Sequence, residues 1–595
     1  MRFITCTLAV ELISIVHFIH GFRDVTSDVF GGDNLGVISA FGDINSDKLI
    51  DVFRVSPDFH TLQFLIATGT KPSFEASQAK CIVQGTITSV MPGDFDGDSV
   101  MDVLVTIANE STKANPPVLE ARILWGRPRM GIDCAKTTGF TVTHQPLLFD
   151  FNADRVVDVL SAKPGNKSVR TVWSFTPNRT IIEHHLNGAE GMAKPHSNSY
   201  VDMNEDMTAD LVITGETKFE LYFWSGTGSF LEPRPRSYPQ DSAIRGQSMF
   251  VDVNADGDLE HIMPVCVGNS DCRHPAVMGH NGTSWITWLE DLKDSQNETW
   301  RFHHESERAG LEVPVMLRSG DVDMDGYPDF LAVLEGRDAA LKKKVRRIVV
   351  LLNTDCPWCP FGRKLVPYWN YGALGSFSDV HLATFFDIDE DGLMDILLVN
   401  GSADAPRMHA LKSQFRDDAC FIKVLTVSGL CYRDCPTGQI AYGTNQPGPT
   451  VRYRTTKSDG FPQEGCIGQL SQSAHFSLQL PYVVFGLGQS PNFVDVLLVA
   501  LPSNMSISHP SIHHQWTQII PNSQMVVIPY PRDAAQKWVN KLFVTPGRQV
   551  VMTFVALAGT CVICALIICG FHWLEKREDR RVKHQERQQF HFDAM

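Results

Sequence analysis

Asp321-Val-Asp-Met-Asp-Gly-Tyr-Pro-Asp329, followed at once by the apolar run Phe330 to Leu334, sets carboxylates at positions 1, 3, 5 and 9 and a glycine at position 6. That spacing suits a hard cation such as Ca2+, which takes about six to eight oxygens, with the glycine supplying the sharp bend. The same grammar occurs seven times, in loops beginning at Asp43 (DINSDKLID), Asp94 (DFDGDSVMD), Asp150 (DFNADRVVD), Asp202 (DMNEDMTAD), Asp252 (DVNADGDLE), Asp321 and Asp387 (DIDEDGLMD). Most lead into an apolar, strand-like run such as Ile396 to Val399. A repeat at about fifty to seventy residues implies an architecture of stacked units, since isolated Asp-rich turns have no reason to recur at a period.

An EF-hand loop also spaces oxygens at 1, 3 and 5, but it closes on a glutamate at position 12 between two helices. Here position 12 is Arg54, Val105, Ser161, Ile213, Met263, Ala332 or Leu398, and the flanks favour strands. The carboxylate at position 9 must close the loop instead. The arrangement resembles the FG-GAP repeat of integrin α-subunits, in which the loop joins two strands of a propeller blade, and Phe41-Gly42 precedes the first loop. The fold class expected is all-β: a seven-bladed FG-GAP β-propeller over 22–427, a small β-sandwich-like domain over 428–540, one transmembrane helix over 550–571 and a short cytoplasmic tail over 572–595. Further blade strands are expected at Ala121–Trp125, Phe219–Trp224 and Arg347–Leu352, and sandwich strands at Val451–Arg454, Val494–Ala500 and Met525–Ile528. Inserts are expected at Asp294–Arg308 and Lys342–Arg363.

The loops differ in how well they suit calcium. Those at Asp321 (with Asp323, Asp325 and Asp329) and Asp387 (with Asp389, Asp391 and Asp395) combine four carboxylates with Gly326 or Gly392 at position 6, so they are expected to fill first. The loop of Asp252, Asn254, Asp256, Asp258 and Glu260 trades one carboxylate for an amide. That of Asp94, Asp96, Asp98 and Asp102 has its glycine, Gly97, at position 4. Both are expected to bind less tightly. The loops at Asp43, Asp150 and Asp202 carry Asn45, Asn152 and Asn204 at position 3 and Lys48, Arg155 and Met207 at position 6, where a left-handed bend strains any side chain. Lys48 and Arg155 are candidates to stand in for the ion.

With 595 residues and 43% hydrophobic content the chain supports more than one core. The formal net charge of -15 excludes a nucleic-acid surface, and much of it sits in the seven loops. Residues 1–21 pair Arg2 with an apolar stretch of signal-peptide length, with cleavage expected near Gly21. Val550 to Phe571 is uncharged, mostly apolar and long enough to cross a bilayer. Trp573 suits the interface. Lys576, Arg577, Arg580, Arg581 and Lys583 follow, which predicts a cytoplasmic carboxyl terminus and a single-pass type I protein of the cell membrane.

Of fourteen cysteines, ten fall between signal and span, an even number suited to disulfides, with Cys266 and Cys272 expected to staple a loop. Glycosylation acceptors stand at Asn109, Asn166, Asn178, Asn281, Asn297, Asn400 and Asn504, all in the same region. Cys356-Pro-Trp-Cys359 has the spacing of a thiol-disulfide exchange motif but no βαβ unit around it, which favours a structural disulfide; a surface oxidoreductase is the alternative reading. His303-His304-Glu305 lacks the helical spacing of a zinc site. No hydrolase or phosphate-loop motif occurs, so no catalytic residues and no enzyme are expected.

The segment Phe485 to Val499 is similar to the module that follows FG-GAP repeats in acidic cartilage-secreted proteins. With the Asn445–Pro449 turn, Pro521–Gln524 and the terminal Phe590–Met595, the whole order resembles the T-cell immunomodulatory protein family, called linkin in nematodes. The resemblance implies a membrane glycoprotein acting in cell adhesion, intercellular signalling and immunomodulation. Its expected partner is an extracellular or cell-surface protein ligand, with a cytoplasmic partner recruited by the tail. Structural Ca2+ is the expected cofactor. Release of the ectodomain as a soluble ligand, by cleavage within Ser508–Thr545, is a further reading.

Overall fold

The computed structural model describes residues 21–592 except 109–117, 129–130, 166–168, 304–312, 339–342, 415–418, 437–438, 458–459, 473–474, 490–492, 505–510, 546–547 and positions 189, 270, 291, 295, 370 and 403. The signal-peptide expectation and the pair His304-Glu305 therefore lie outside the described residues.

Each acidic loop joins a first strand to a second that is buried on both faces. Asp51–Val55, Asp158–Ala162 and Asp210–Thr214 are buried at every position, as expected of β-branched runs packed between two layers. The outermost strand is wetter: Ile181–Asn187 is exposed or half-buried throughout. Among the described residues, seven antiparallel sheets of four or five strands result. The last is completed by the beginning of the chain, where Phe22–Asp24 pairs with Ala405–Ser413 in the register Phe22↔Ser413. Adjacent sheets meet through aromatic seams, among them Phe41 against Phe386 (4.8 Å between ring centroids), Phe149 against Tyr200 (5.7 Å) and Trp288 against Phe330 (5.6 Å). A disulfide from Cys81 to Cys134 ties the outer strands of the first two sheets. Of the three expected blade strands, two lie in Leu119–Arg127 and Lys343–Asp355, while that expected at Phe219–Trp224 ends at Tyr222, in the strand Lys218–Tyr222. The strand Lys343–Asp355 corrects one expectation: most of Lys342–Arg363 is a blade strand and its turn, and its apolar run from Ile348 to Leu351 is buried at every position, as in a strand packed on both faces. Arg301–Phe302, within the other expected insert, also pairs into that blade.

A sandwich follows. One sheet orders Val483–Gly488, Cys420–Thr426, Ser523–Ile528 and Val539–Val544; the other orders Pro462–Gly468, Thr450–Thr456, Val494–Pro502 and Ser511–Ile519. The boundary expected at residue 427 is therefore too late. Cys420–Thr426 pairs with Val483–Gly488 and, in parallel, with Ser523–Ile528, so it belongs to the second domain.

Between Pro462–Gly468 and Val483–Gly488 the chain leaves the sandwich and enters the propeller. The His475 ring lies 5.4 Å from His196. Buried Arg318 donates to the Phe476 carbonyl at 3.3 Å, and Thr384 Oγ1 donates to that of Leu478 at 3.3 Å. Phe476 and Leu478 join a core that includes Val37, Phe41 and Val90. These partners come from the first strands of separate blades, or just before them, so the segment lies where those strands converge. Burial holds His144 down to about 3 and His196 to about 4, and both are neutral packing groups at physiological pH.

The second unit, described by itself, is one helix, Arg548–Phe592, which continues past the apolar run into the charged residues beyond Phe571. Its apolar window has a mean hydropathy of 2.6.

Phe476 is about 1% exposed. Phe476→Ala should cost about 3 kcal/mol by removing a fully buried ring. Tyr530→Ala, at a half-exposed ring, should cost clearly less. Denaturant unfolding of both variants checks the difference, and equal losses would show that the inserted segment is not part of the propeller core.

Candidate metal centres

All seven loops share one hydrogen-bond skeleton. Oδ2 of the aspartate at position 1 accepts from the backbone N–H of position 6 at 2.8–3.1 Å. Oδ1 of position 5 accepts from the N–H of position 7 at 2.8–3.1 Å. The carboxylate at position 9 accepts from the N–H of position 2 at 2.7–3.3 Å. In five loops its second oxygen accepts from a neighbouring strand, through Ala67, Gly126, Trp224, Asn353 or Ser413.

Two residues in each loop are left-handed. Position 6 has φ of 65–95° and position 4 has φ of 56–74°. The bend at position 6 is kept by Lys48, Ser99, Arg155 and Met207 as well as by the glycines. The bend at position 4 is not evident from the sequence, because only Gly97 marks it; Ser46, Ala153, Glu205, Ala255, Met324 and Glu390 hold it elsewhere. Each non-glycine in this region costs about 1–2 kcal/mol, offset by the carboxylate–amide bonds. Gly97 is thus in register, and the loop at Asp94 lacks its glycine only at Ser99.

The seven loops differ in where their charge is balanced. Carboxylate oxygens of Asp321, Asp323 and Asp325 come within 4.8 Å of one another, as do those of Asp94, Asp96 and Asp102. Burial, then repulsion from Asp325, raises Asp321 well above the carboxylate range; burial, then Asp323, pushes Asp325 up to about 7. In the loop of the second cluster burial, then Asp96, pushes Asp98 up to about 6. Asp323 Oδ1 and Asn254 Oδ1, both at position 3, are buried without a hydrogen-bond donor. A cation at either loop would satisfy those atoms, so the donor sets fit a hard oxygen-seeking ion. In the loop of Asn254, burial pushes Asp252 to about 7 and Glu260 to about 8.

The loop at Asp387 differs from its sequence ranking beside Asp321. Lys423 Nζ, 1% exposed, lies 3.0 Å from Asp387 Oδ2 and also meets Glu390. Lys412 pairs with Asp389 and with Asp391, the latter at 3.3 Å. Two ammonium groups therefore stand among the carboxylates. Lys48 does the same for Asp43 at 2.9 Å, whereas the Arg155 guanidinium turns away to the carbonyls of Pro529 and Arg532. Arg179 Nε pairs with Asp96 at 2.8 Å beside the Asp94 cluster. Lys412, Lys423 and Arg179 are the residues that sequence reasoning missed. A lysine in the middle of the apolar strand Cys420–Thr426 was the available signal, because such a position demands a buried partner.

The sandwich packs on this loop-bearing face. The Cys466 N–H donates to Asp252 Oδ2 at 3.2 Å, Gln463 Nε2 to the Asp325 carbonyl at 3.2 Å, and Arg452 to Asp258 at 3.3 Å. The Asp387 N–H donates to the Tyr482 hydroxyl at 3.0 Å. A cavity of about 110 Å³ opens between Asp252, Asp321, Cys466 and Tyr482.

Of the expected glycosylation acceptors, Asn178, Asn281 and Asn297 are exposed, and Asn109 and Asn166 lie outside the described residues. The amides of Asn400 and Asn504 are engaged, donating to the carbonyls of Ser378 and Asn152. The described disulfides also include Cys266–Cys272, Cys356–Cys359 and Cys431–Cys435; Cys466, one of the ten cysteines expected to suit disulfides, is instead a buried thiol. Cys356–Cys359 closes the turn between two blade strands; only the three-residue 3-10 turn Pro360–Gly362 follows it, in place of the α-helix start that activates an exchange cysteine.

The family described as FG-GAP-like repeat matches residues 43–105 and 202–263, and that described as ITFG1, C2 domain, matches residues 441–543. The T-cell immunomodulatory protein of Rattus norvegicus is 38% identical, with 96% of this chain and 95% of that one covered. The protein of the same name from Homo sapiens is 37% identical, with 96% and 94% covered. Protein linkin of Caenorhabditis elegans is 28% identical, with 95% and 96% covered.

Removing the Lys423 charge should leave Asp387 and Glu390 uncompensated in a buried site. Lys423→Met is expected to cost about 3–5 kcal/mol, as for one partner lost from a buried ion pair. Lys343→Met, at an exposed pair with Asp379, should cost under about 1 kcal/mol. Thermal unfolding in the presence of chelator compares them directly.

Proposed function

Because the chain belongs to the T-cell immunomodulatory protein family, whose members at 37–38% identity match it along nearly its whole length, we propose that it is a single-pass membrane glycoprotein acting in adhesion and intercellular signalling through a calcium-stiffened propeller. The FG-GAP repeats and the one apolar carboxyl-terminal helix support the outline. The observation that carries the calcium reading is the trio Asp321, Asp323 and Asp325, with one buried oxygen of Asp323 lacking a donor. Calcium would neutralise these carboxylates and complete the bend around Gly326. Asp94, Asp96 and Asp102 would hold a second ion, the loop of Asp252 with Asn254 a weaker one, and the loop at Asp387 none while its lysines are in place. Glycans are expected on the exposed Asn178, Asn281 and Asn297.

With the loop face covered by the sandwich, a protein ligand would reach the opposite face of the propeller. The groove of about 230 Å³ bordered by Lys194, Tyr238 and Arg245 offers a basic and aromatic patch there, with Arg245 stacked 3.9 Å over the Tyr238 ring. Such residues are the usual anchors of protein interfaces. The relatives are named for immunomodulation and not as enzymes, which is consistent with a binding role.

Calorimetry should show a rise in the thermal midpoint with calcium that Asp325→Ala reduces and Asp154→Ala leaves in place. The pH dependence has a defined sign. Because Asp325 in the metal-free fold is raised to about 7, its protonated form contributes stability that is full below the ordinary carboxylate range and lost as pH rises through about 7. Calcium should therefore stabilise the protein more at pH 8 than at pH 6. A midpoint indifferent to calcium at both values would remove the metal from the account.

The adhesion reading is tested on suspension cells carrying the full chain. Cell–cell attachment should rise, weaken in chelator and fall with Arg245→Glu at unchanged surface level. No gain in attachment over untransfected cells would eliminate this role.

A further inference from the structure

One end of the sandwich gathers several chain turns. Thr456 pairs with Pro462 beside a turn in which the Gly460 N–H donates to the Lys457 carbonyl, Thr455 pairs with Val494, and Val494 pairs with Ile519. In the facing sheet Cys420 pairs with Gly488 and Ser523 with Val544. The turn from Ile519 to Ser523 joins the two sheets at this end, so the last strand, Val539–Val544, leaves the domain there too. Turn tips are ordinarily polar. These carry Phe461 at 70% exposure, Phe493 at 49% and Ile520 at 48%, with Phe543 and Val544 at 52% each on the departing strand.

The propeller contributes to the same rim. Lys457 Nζ sits 5.4 Å over the Tyr327 ring, and the Arg363 guanidinium lies 3.6 Å from the same ring. Arg363 begins the strand after the Cys356–Cys359 turn, whose Trp358 is 87% exposed.

Only residues 545–549 separate Val544 from the apolar run that begins at Val550. At about 3.5 Å per residue, even a fully extended connection keeps this end of the sandwich within roughly 20 Å of the hydrocarbon boundary. We propose that Phe461, Phe493, Ile520 and Trp358 form an apolar foot that enters the interfacial layer of the bilayer crossed by the chain's own helix. The proposal rests on that helix being a membrane span. The occupant is lipid because covalent connection brings this end to the bilayer, and because the apolar groups are separate tips around an exit strand. Trp and Phe favour the headgroup boundary, where ring and backbone can both be accommodated.

The test uses the full chain in phosphatidylcholine nanodiscs, with Cys561, Cys564 and Cys569 replaced by serine and a bimane label at Phe461→Cys or Phe493→Cys. Lipids with a nitroxide high on the acyl chain act as quencher. Ile182→Cys, on an exposed blade strand, is the distant reference, and a chain that retains only Cys564 in the helix reports the span itself. Labels at 461 and 493 should be quenched at least about twofold, as expected for groups at the headgroup and acyl boundary, with the label at 182 unaffected. Unquenched tips with a quenched Cys564 label would overturn the foot and leave the span standing. An unquenched Cys564 label would overturn the span, and the foot with it. Equal quenching at 182 and at the tips would also overturn the proposal, since the effect would then not be confined to this end.

Discussion

A buried carboxylate that holds backbone together is the interaction on which the propeller depends. Asp51, Asp102, Asp158, Asp210, Asp329 and Asp395, with Glu260 in the remaining blade, begin the second strand of their sheets and accept a bond from the start of the preceding loop. Where the second oxygen reaches a neighbouring strand, one side chain fixes loop and sheet edge at once. The longer Glu260 makes the first bond, and no second one like it was found among the described residues. A carboxylate so placed has little choice of rotamer, which is why the loops share one hydrogen-bond pattern although only positions 1 and 5 carry the same residue in all seven.

Clustering carboxylates in this way raises their proton affinity, and every loop needs some source of positive charge. The source differs around the ring. At Asp43 it is the loop's own lysine, and at Asp387 it is one lysine from the blade's third strand and one from the sandwich. Around Asp94 a guanidinium from the next blade contributes. The Lys423 contact also has a mechanical meaning: it crosses from sandwich to propeller, so the charge that steadies the last loop also fastens the two domains.

The repeat was legible because its determinants are local. Seven Asp-rich loops at a regular spacing, each followed by a β-branched run, require no long-range knowledge to recognise, and Cys266 and Cys272 are close enough in sequence to pair on sight. The domain boundary was less legible. Cys420–Thr426 has the composition of another blade strand, and its partner Ser523–Ile528 lies about a hundred residues on in a parallel register, which no local pattern encodes. The bend at position 4 was hidden for a different reason, since the hydrogen bonds of the loop hold Met324 or Glu390 in a conformation that residue preference alone would assign to glycine. Lys412 and Lys423 lie outside the nine-residue loop, so ranking sites by loop composition placed Asp387 beside Asp321 when their surroundings differ.

The pairing of Phe22 with Ser413 sets a timetable for biosynthesis. The first strand cannot find its place until nearly four hundred further residues have been made, which at about 5–20 residues per second is of the order of 20 to 80 s. Through that interval the first blade has one flank without its neighbour, and the sixth and seventh blades must form before the circle can close. The segment around Phe476 emerges later still, so the centre of the propeller is filled only after the last blade strand has been made. A substitution near the beginning of the chain would therefore act late in folding, at the joining of the ring, while the blades between had already formed.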